Sequence, residues 1–270
     1  MRVGFIGAGN MASAIIRGVI AQSFIDAKQV YVTDHSPDKL KAFTEETGTI
    51  ACCSSEELLE RVDVVVLAVK PHQFEALLQP LKGLIQSRQP LIVSIAAGLT
   101  LERIQQMIGE DAPVAIVRAM PNVNALVGAS MSAIAGNAVA TREQVQYLLD
   151  MFNAIGMAME LDEDSFSIFI GIAGSSPAYA YLFIDALARG ALKAGMSKEK
   201  ATRIAAQAVL GSAKMVLESE DAPWVLIDKV CSPGGTTIAG LCALEDAGFS
   251  STVIKCVDAT IAKDQEMLHN

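Results

Sequence analysis

An α/β protein, an N-terminal doubly wound parallel sheet followed by an all-α C-terminal domain, is what this sequence predicts, on three observations. Short β-branched runs alternate with helical apolar patterns from Val3 to about Ile155. A glycine-rich turn joins the first strand to the first helix, and beyond about Glu160 the strand-like runs stop. The domain boundary therefore belongs near Met157 to Asp162, dividing the chain into 1–159 and 160–270.

The first strand is Val3-Gly4-Phe5-Ile6, followed at once by Gly7-Ala8-Gly9-Asn10-Met11-Ala12 and a helical pattern through Ile15, Ile16, Val19 and Ile20. This is the Gly-x-Gly-x-x-Ala form of the dinucleotide fingerprint in its strand–turn–helix setting, the mark of a Rossmann-type domain. Gly7 makes the turn, Gly9 lets a pyrophosphate approach bare backbone, and Ala12 packs helix on strand. A second strand, Gln29 to Thr33, ends in Asp34, where an acid would accept hydrogen bonds from the ribose hydroxyls of NAD. His35, Ser36 and Lys39 come next and suit a 2′-phosphate, so NADH and NADPH both stay open.

Val64 to Val69 is a continuous apolar run, as expected of a strand covered on both faces, and it leads into Lys70-Pro71-His72. A helix from Phe74 to Ile85, a strand from Leu91 to Ile95 and a helix from Leu101 to Ile108 follow. The next strand is expected at Val114 to Val117, running out into Arg118-Ala119-Met120-Pro121-Asn122. Lys70 and Arg118, each placed just past a strand end, have two readings: a cofactor contact, or a solvated charge. An edge segment, Ser130 to Ala135, and a helix, Arg142 to Ile155, complete the domain, with Gly156 as the helix stop.

The second half opens with Asp162-Glu163-Asp164, acids suited to a helix N-terminus. Its first helix, through Phe166, Phe169 and Ile170, is interrupted at Ala173-Gly174-Ser175-Ser176-Pro177, because proline lacks an amide donor and clashes with the preceding turn. Helices at Ala178 to Ala194 and Lys198 to Leu217 are rich in alanine, an inventory for close helix–helix approach. Near the end of the chain stands Cys231-Ser232-Pro233-Gly234-Gly235-Thr236-Thr237, a tight turn leading into the helix of Ile238, Leu241 and Leu244. The first amides of such a helix lack intrahelical acceptors and suit an anion. No lysine or arginine lies in the stretch, so a carboxylate here would be held by amides and hydroxyls.

Hydrophobic residues make up 51% of the chain and charged ones 19%, an apolar balance that calls for burial at an oligomer interface. The net charge of −9 argues against a nucleic-acid partner. No uninterrupted apolar run of about 18 residues occurs, so no membrane-spanning helix is expected, and the N-terminus does not read as a signal peptide. Five cysteines without a Cys-x-x-Cys pair suggest reduced thiols in a cytoplasm. The histidines, His35, His72 and His269, have neither metal-ligand nor triad spacing, so no metal is expected. A cyclic imine suits what remains: protonated, its carbon is already electrophilic and needs only an oriented hydride donor.

The segments Gly4 to Met11, Ala68-Val69-Lys70-Pro71, Ser94 to Gly98, Arg118 to Asn122, Gly174 to Tyr179 and Ser232 to Thr237 together resemble the pyrroline-5-carboxylate reductases over nearly the whole chain. The resemblance implies reduction of 1-pyrroline-5-carboxylate to L-proline with NADPH or NADH. It implies substrate binding by Ser232, Gly235, Thr236 and Thr237, with the hydroxyl of Thr237 on the ring nitrogen as the catalytic contact. Cofactor contacts fall on Gly7, Ala8, Gly9, Asn10 and Met11; on Asp34, His35 and Ser36; on Ala68, Val69, Lys70 and Pro71; and on Ala97, Met120 and Asn122. It further implies a homodimer through the helical domain, or a decamer of five dimers. The chain departs from the family at Val123 and Asn124, at Ala173 and at Asp34-His35, where an acid should disfavour a 2′-phosphate. A β-hydroxyacid dehydrogenase, which would need a lysine absent from Asp162 to Arg189, and a non-catalytic nucleotide sensor are the competing readings.

Overall fold

The computed structural model describes residues 1–110 and 112–268; His269 lies outside them. Alternate residues of each strand face opposite sides of one sheet, so each strand feeds two cores. Val3 and Phe5 of β1 (Val3–Ile6) join Ile15, Ile16 and Val19 of helix α1 (Asn10–Ala21), whereas Ile6 joins the core on the other face. The chain continues through β2 (Val30–Thr33), α2 (Pro37–Thr47), β3 (Ile50–Ala51), α3 (Ser55–Arg61), β4 (Val64–Leu67) and α4 (Phe74–Arg88). It then forms β5 (Leu91–Ser94), α5 (Leu101–Ile108), β6 (Ile116–Met120), β7 (Ser130–Gly136), α6 (Arg142–Asn153) and β8 (Gly156–Glu160).

The sheet order is β3-β2-β1-β4-β5-β6-β7-β8. Strands β1 to β6 run parallel, β7 is antiparallel to β6, and β8 is parallel to β7. The chain moves outward from β1 to β3 and then returns to lay β4 on the other side of β1. The loops after β1 and β4 thus diverge at the topological switch point, where open α/β sheets form their ligand crevice.

Three expectations are corrected here. The strand expected at Val114 to Val117 is β6, Ile116–Met120, so Arg118 and Met120 lie within the strand rather than beyond it. Segment Ser130–Gly136 is an interior strand, because β8 pairs along its outer side. Gly156 opens β8 rather than stopping a helix: its φ is +153°, and a Cβ would stand 2.1 Å from the Ser130 carbonyl oxygen. The sequence of β8, Gly-Met-Ala-Met-Glu, has no β-branched residue to announce a strand.

After a 3₁₀ turn at Glu163–Ser165 come α7 (Phe166–Phe169), a π-helical stretch (Ile170–Gly174) and α8 (Ser176–Lys193). The interruption lies where the proline predicts it, with the Ser175 amide reaching back to the Ile170 carbonyl. By length and composition alone the whole run, Glu163–Lys193, meets what a membrane crossing needs, which the broken apolar pattern of the sequence does not suggest. The remaining helices are α9 (Lys198–Glu218), α10 (Pro223–Val230), α11 (Thr236–Asp246) and α12 (Phe249–Leu268).

The chain packs as two compact units, Met1–Ser175 together with the residues from Thr260, and Ser176–Ala259. Phe166, Phe169 and Ile170 are buried in the core of the first unit, so the first helical turns after Glu160 pack with the sheet. In the second unit α8 meets α9 through Ala188, Ala201 and Ala205, small residues that let the helices approach closely. Asp185 of α8 pairs there with Lys198 of α9 and Arg189. Large apolar side chains of this unit stay exposed, among them Leu182, Leu210, Leu217, Val230 and Ile254.

Candidate functional site

The first group of predicted residues comes together at the switch point. Gly7 has φ +103°, and a Cβ there would lie 2.8 Å from the Ala68 carbonyl oxygen. Only glycine allows this turn and this approach, so the loops after β1 and β4 touch. Ala8 is buried beneath them. At Gly9 a Cβ would meet nothing within 4 Å, so the N-terminus of α1 opens to its surroundings. Ser13 donates back to the Gly9 carbonyl, which leaves Asn10, Met11 and Ala12 as the helix amides without an intrahelical acceptor. That combination suits a pyrophosphate.

Asp34 is turned inward. Its Oδ2 accepts from the Ala8 amide at 2.7 Å and its Oδ1 from the Ser36 amide at 3.0 Å, and its side chain is 4% exposed. Burial pushes the carboxyl up, but the two amides, with Lys39 and His35 nearby, outweigh this and hold it below the ordinary carboxylate range. The ring of His35 is 92% exposed, and its Nδ1 lies 3.2 Å from Asp34. Asp34 thus organises the glycine loop, and the surface at this corner belongs to His35, Ser36 and Lys39. Val69 is half-buried, and exposed Lys70 opens the turn to Pro71 with its amide donating to Gln73 Oε1 at 3.0 Å. Ala97 lies in the loop after β5 and is half-buried.

Three residues of the β6 segment depart from their expected settings. Arg118 is neither a surface charge nor at a strand end: it is 1% exposed, stacks 4.5 Å above the Phe166 ring and pairs with Glu163 at 3.1 Å. Burial pulls its pKa below the ordinary value, opposed by Glu163 and Asp264. Met120 is buried in the core. Asn122 spends its side chain within the protein, with Oδ1 accepting from the amides of Asn124 and Met131 and Nδ2 donating to the Ala173 carbonyl. Arg118 is flanked by Val117, Ala119 and Met120, an unbroken apolar setting that signals burial in the sequence. No comparable signal marks Asp264.

The second group, Ser232 to Thr237, lies in the second unit at the start of α11. Gly234 has φ +68°, and the Gly235 amide closes the turn on the Ser232 carbonyl at 3.0 Å. Ser232 Oγ sits 2.4 Å from where a Cβ of Gly235 would stand, so glycine is required for the serine to fold over the helix start. Gly235 is the N-cap and supplies no side chain, so Thr236 and Thr237 begin the helix with amides that lack protein acceptors among the described residues. Ser232, Thr236 and Thr237 are exposed. Among the described residues there is no cluster of histidine, cysteine and acids able to hold a metal, and none of the five cysteines is joined in a disulfide.

Residues 163–267 match the family model for pyrroline-5-carboxylate reductase dimerisation, and residues 2–98 match that of NADP oxidoreductase, coenzyme F420-dependent. The chain is 40% identical over 266 residues to the pyrroline-5-carboxylate reductase of Escherichia coli, covering 98% of both. It is 38% identical to that of Arabidopsis thaliana, covering 98% of this chain and 95% of the other. Among solved structures, a pyrroline-5-carboxylate reductase from Coxiella burnetii superposes with a TM-score of 0.92 at 34% identity, covering 98% of both chains. The NADP-bound Plasmodium falciparum enzyme gives 0.88 at 32% identity, covering 99% of this chain and 98% of the other.

Proposed function

The chain belongs to the pyrroline-5-carboxylate reductase family, and from that premise we propose that the turn before α11 holds the substrate's carboxylate and that Thr237 serves its ring nitrogen. The protein is an NAD(P)H-dependent oxidoreductase acting on the C=N bond of 1-pyrroline-5-carboxylate, and its product is L-proline. The reduced nicotinamide supplies a hydride to the imine carbon; the nitrogen, protonated beforehand, ends as the amine. The residues of the chain bind and orient. Amides at the α11 N-terminus meet the carboxylate with the positive end of the helix dipole, and the Ser232 hydroxyl adds a donor. The hydroxyl of Thr237, one position into the helix, hydrogen-bonds the ring nitrogen and fixes which face of the ring meets the hydride.

For the cofactor the residues that fit are the Gly7 to Met11 turn, whose free amides suit the pyrophosphate, together with Ala68 to Pro71 and Ala97. His35, Ser36 and Lys39 form the corner suited to a 2′-phosphate. Asn122, its polar atoms already engaged, supports the loop rather than the nucleotide, and Met120 acts only through packing. Segment 1–159 serves as the dinucleotide-binding domain and 160–270 as the substrate-binding and dimerisation domain. The exposed apolar side chains of the second unit, Leu182 of the run Glu163–Lys193 among them, form the face that meets a second copy. A homodimer, or an assembly of such dimers, is the state this favours, and the absence of a Cys-x-x-Cys pair among five cysteines favours a cytoplasm.

The observation that carries the assignment is the pair of acceptor-free amides at Thr236 and Thr237 beside the folded-over Ser232. The test supplies 1-pyrroline-5-carboxylate with NADPH or NADH and follows both cofactor oxidation and proline. Thr237→Ala is expected to cut turnover about a hundredfold with cofactor affinity unchanged. An unaltered rate removes Thr237 from the chemistry. No turnover by the unmodified protein, with cofactor still bound, favours the nucleotide-sensing alternative.

A further inference from the structure

A buried charge cluster lies beneath the carboxyl edge of the sheet, and neither the cofactor turn nor the substrate turn uses it. Arg118, in β6, is level with the last residue of β5, to which it pairs as Ser94↔Arg118. Its Nη1 donates to Glu163 Oε1 at 3.1 Å. That same oxygen accepts from the amide of Leu101 at 2.8 Å, the first residue of α5. One carboxylate oxygen therefore joins the guanidinium to the end of the loop Ala97-Gly98-Leu99-Thr100. On the other side of Phe166 in sequence, Ser167 Oγ donates to Asp264 Oδ2 at 2.8 Å, and both residues are 6% exposed. Asp264 belongs to the last turns of α12, and its carboxylate opposes the lowering of the Arg118 pKa by burial.

The same end of α12 reaches the same loop from outside. A Cβ on Gly98 would stand 3.7 Å from Met267 Cε. Met267 and Leu268 also line a cavity of about 470 Å³ with Pro71, His72, Gly98 and Leu99, residues of the loops after β4 and β5. The last turns of α12 therefore pack on the loop after β5 and share a cavity with the loop after β4, and a buried carboxylate anchors them.

We propose that Arg118, Glu163 and Asp264 act together as positioning residues for hydride transfer, locking the Ala97–Leu101 loop and the last turns of α12 into one wall of the cofactor crevice. The proposal rests on the reductase reading, in which Ala97 contacts the cofactor. The physical reason is the cost of an isolated buried guanidinium. Glu163 engages only Nη1, while Nε and Nη2 have no hydrogen-bond partner among the described residues. The remaining positive charge is balanced by Asp264 and the face of Phe166. Whatever displaces Asp264 releases the helix end, and whatever displaces Glu163 releases the start of α5. Both changes loosen the same wall.

The test compares Asp264→Asn, Glu163→Gln, the double variant and Arg118→Lys in the full-length enzyme, with Ser167→Ala as the mildest change should any of them fold poorly. Each single substitution is expected to lower kcat about tenfold while the KM for the imine moves less than about twofold. In the double variant the losses should not multiply, since both act through one guanidinium. Arg118→Lys keeps the charge but loses the stack on Phe166 and the planar guanidinium that reaches Glu163, and its kcat should fall equally far. Amide hydrogen exchange gives a readout independent of turnover: Asp264→Asn should raise exchange at 97–101 as well as at 260–268. Exchange raised only at 260–268, kcat within about twofold of the unmodified enzyme, or losses that multiply would each overturn the proposal. If the unmodified protein fails to reduce the imine, the reductase reading falls by itself, and exchange at 97–101 still decides whether the cluster couples the two segments.

Discussion

The carboxylate of Asp34 accepts a 2.7 Å hydrogen bond from the amide of Ala8, tying the end of β2 to the glycine turn after β1. An acid at this position is ordinarily a ribose ligand, and here each of its oxygens also accepts from a backbone amide, of Ala8 and of Ser36. The proposed pyrophosphate site at the glycine turn would be shared by NADPH and NADH, so Asp34→Ala is expected to weaken both by similar factors, about tenfold. Steady-state KM values for the two cofactors check this. A gain for NADPH with a loss for NADH would return Asp34 to the ribose.

The same carboxylate carries a pH signature. Its folded pKa is depressed, so its stabilisation is fully present above the unfolded carboxylate value, about 3.9, and is lost as pH falls through the lower folded value. Near neutral pH, Asp34→Ala should cost about 1.5–3 kcal/mol, the worth of hydrogen bonds to a charged group. Thermal unfolding of the two proteins should converge in acid below about pH 4. Parallel curves across that range would mean that the carboxylate does not hold the loop.

Gly156 tests the close approach of β7 and β8. An alanine Cβ would lie 2.1 Å from the oxygen and 2.4 Å from the nitrogen of Ser130, at a φ of +153°. Neither strand backbone can move aside without breaking its ladder. Gly156→Ala should destabilise the fold by about 2 kcal/mol or more, read as a lower urea midpoint with an unchanged slope. An unshifted midpoint would show that β8 is not held against β7 in solution.

The adjacent cysteines separate burial from sequence. Cys52 is 1% exposed and burial pushes its thiol up to about 11, whereas Cys53 is exposed. At about pH 8 iodoacetamide should label Cys53 in the native protein and reach Cys52 only after denaturation, as peptide mass spectrometry would record.

Leu182 is 71% exposed on the apolar surface of α8. Leu182→Glu should shift the protein from its assembled state toward the 28.5 kDa protomer in light scattering and reduce activity with it. Retention of both would place the subunit contact elsewhere.

Periodicity and short motifs are local properties, and whatever rests on them is legible in the sequence alone. The first strand, the glycine turn and its helix, the switch to helices after Glu160, the break before Pro177 and the serine–glycine–threonine turn are all of this kind, because each depends on neighbours within a few residues. Tertiary structure decided the rest. Gly156 looks like a helix stop until β7 pairs beside it, Asp34 gives no sign in the sequence of its bond to the Ala8 amide, and Arg118 looks like a charge at a strand end until Phe166 and Glu163 enclose it. In each case the deciding partner lies about 26 or more residues away along the chain. Such contacts leave no period in a sequence; they arise only when burial forces every amide and charge to find a partner.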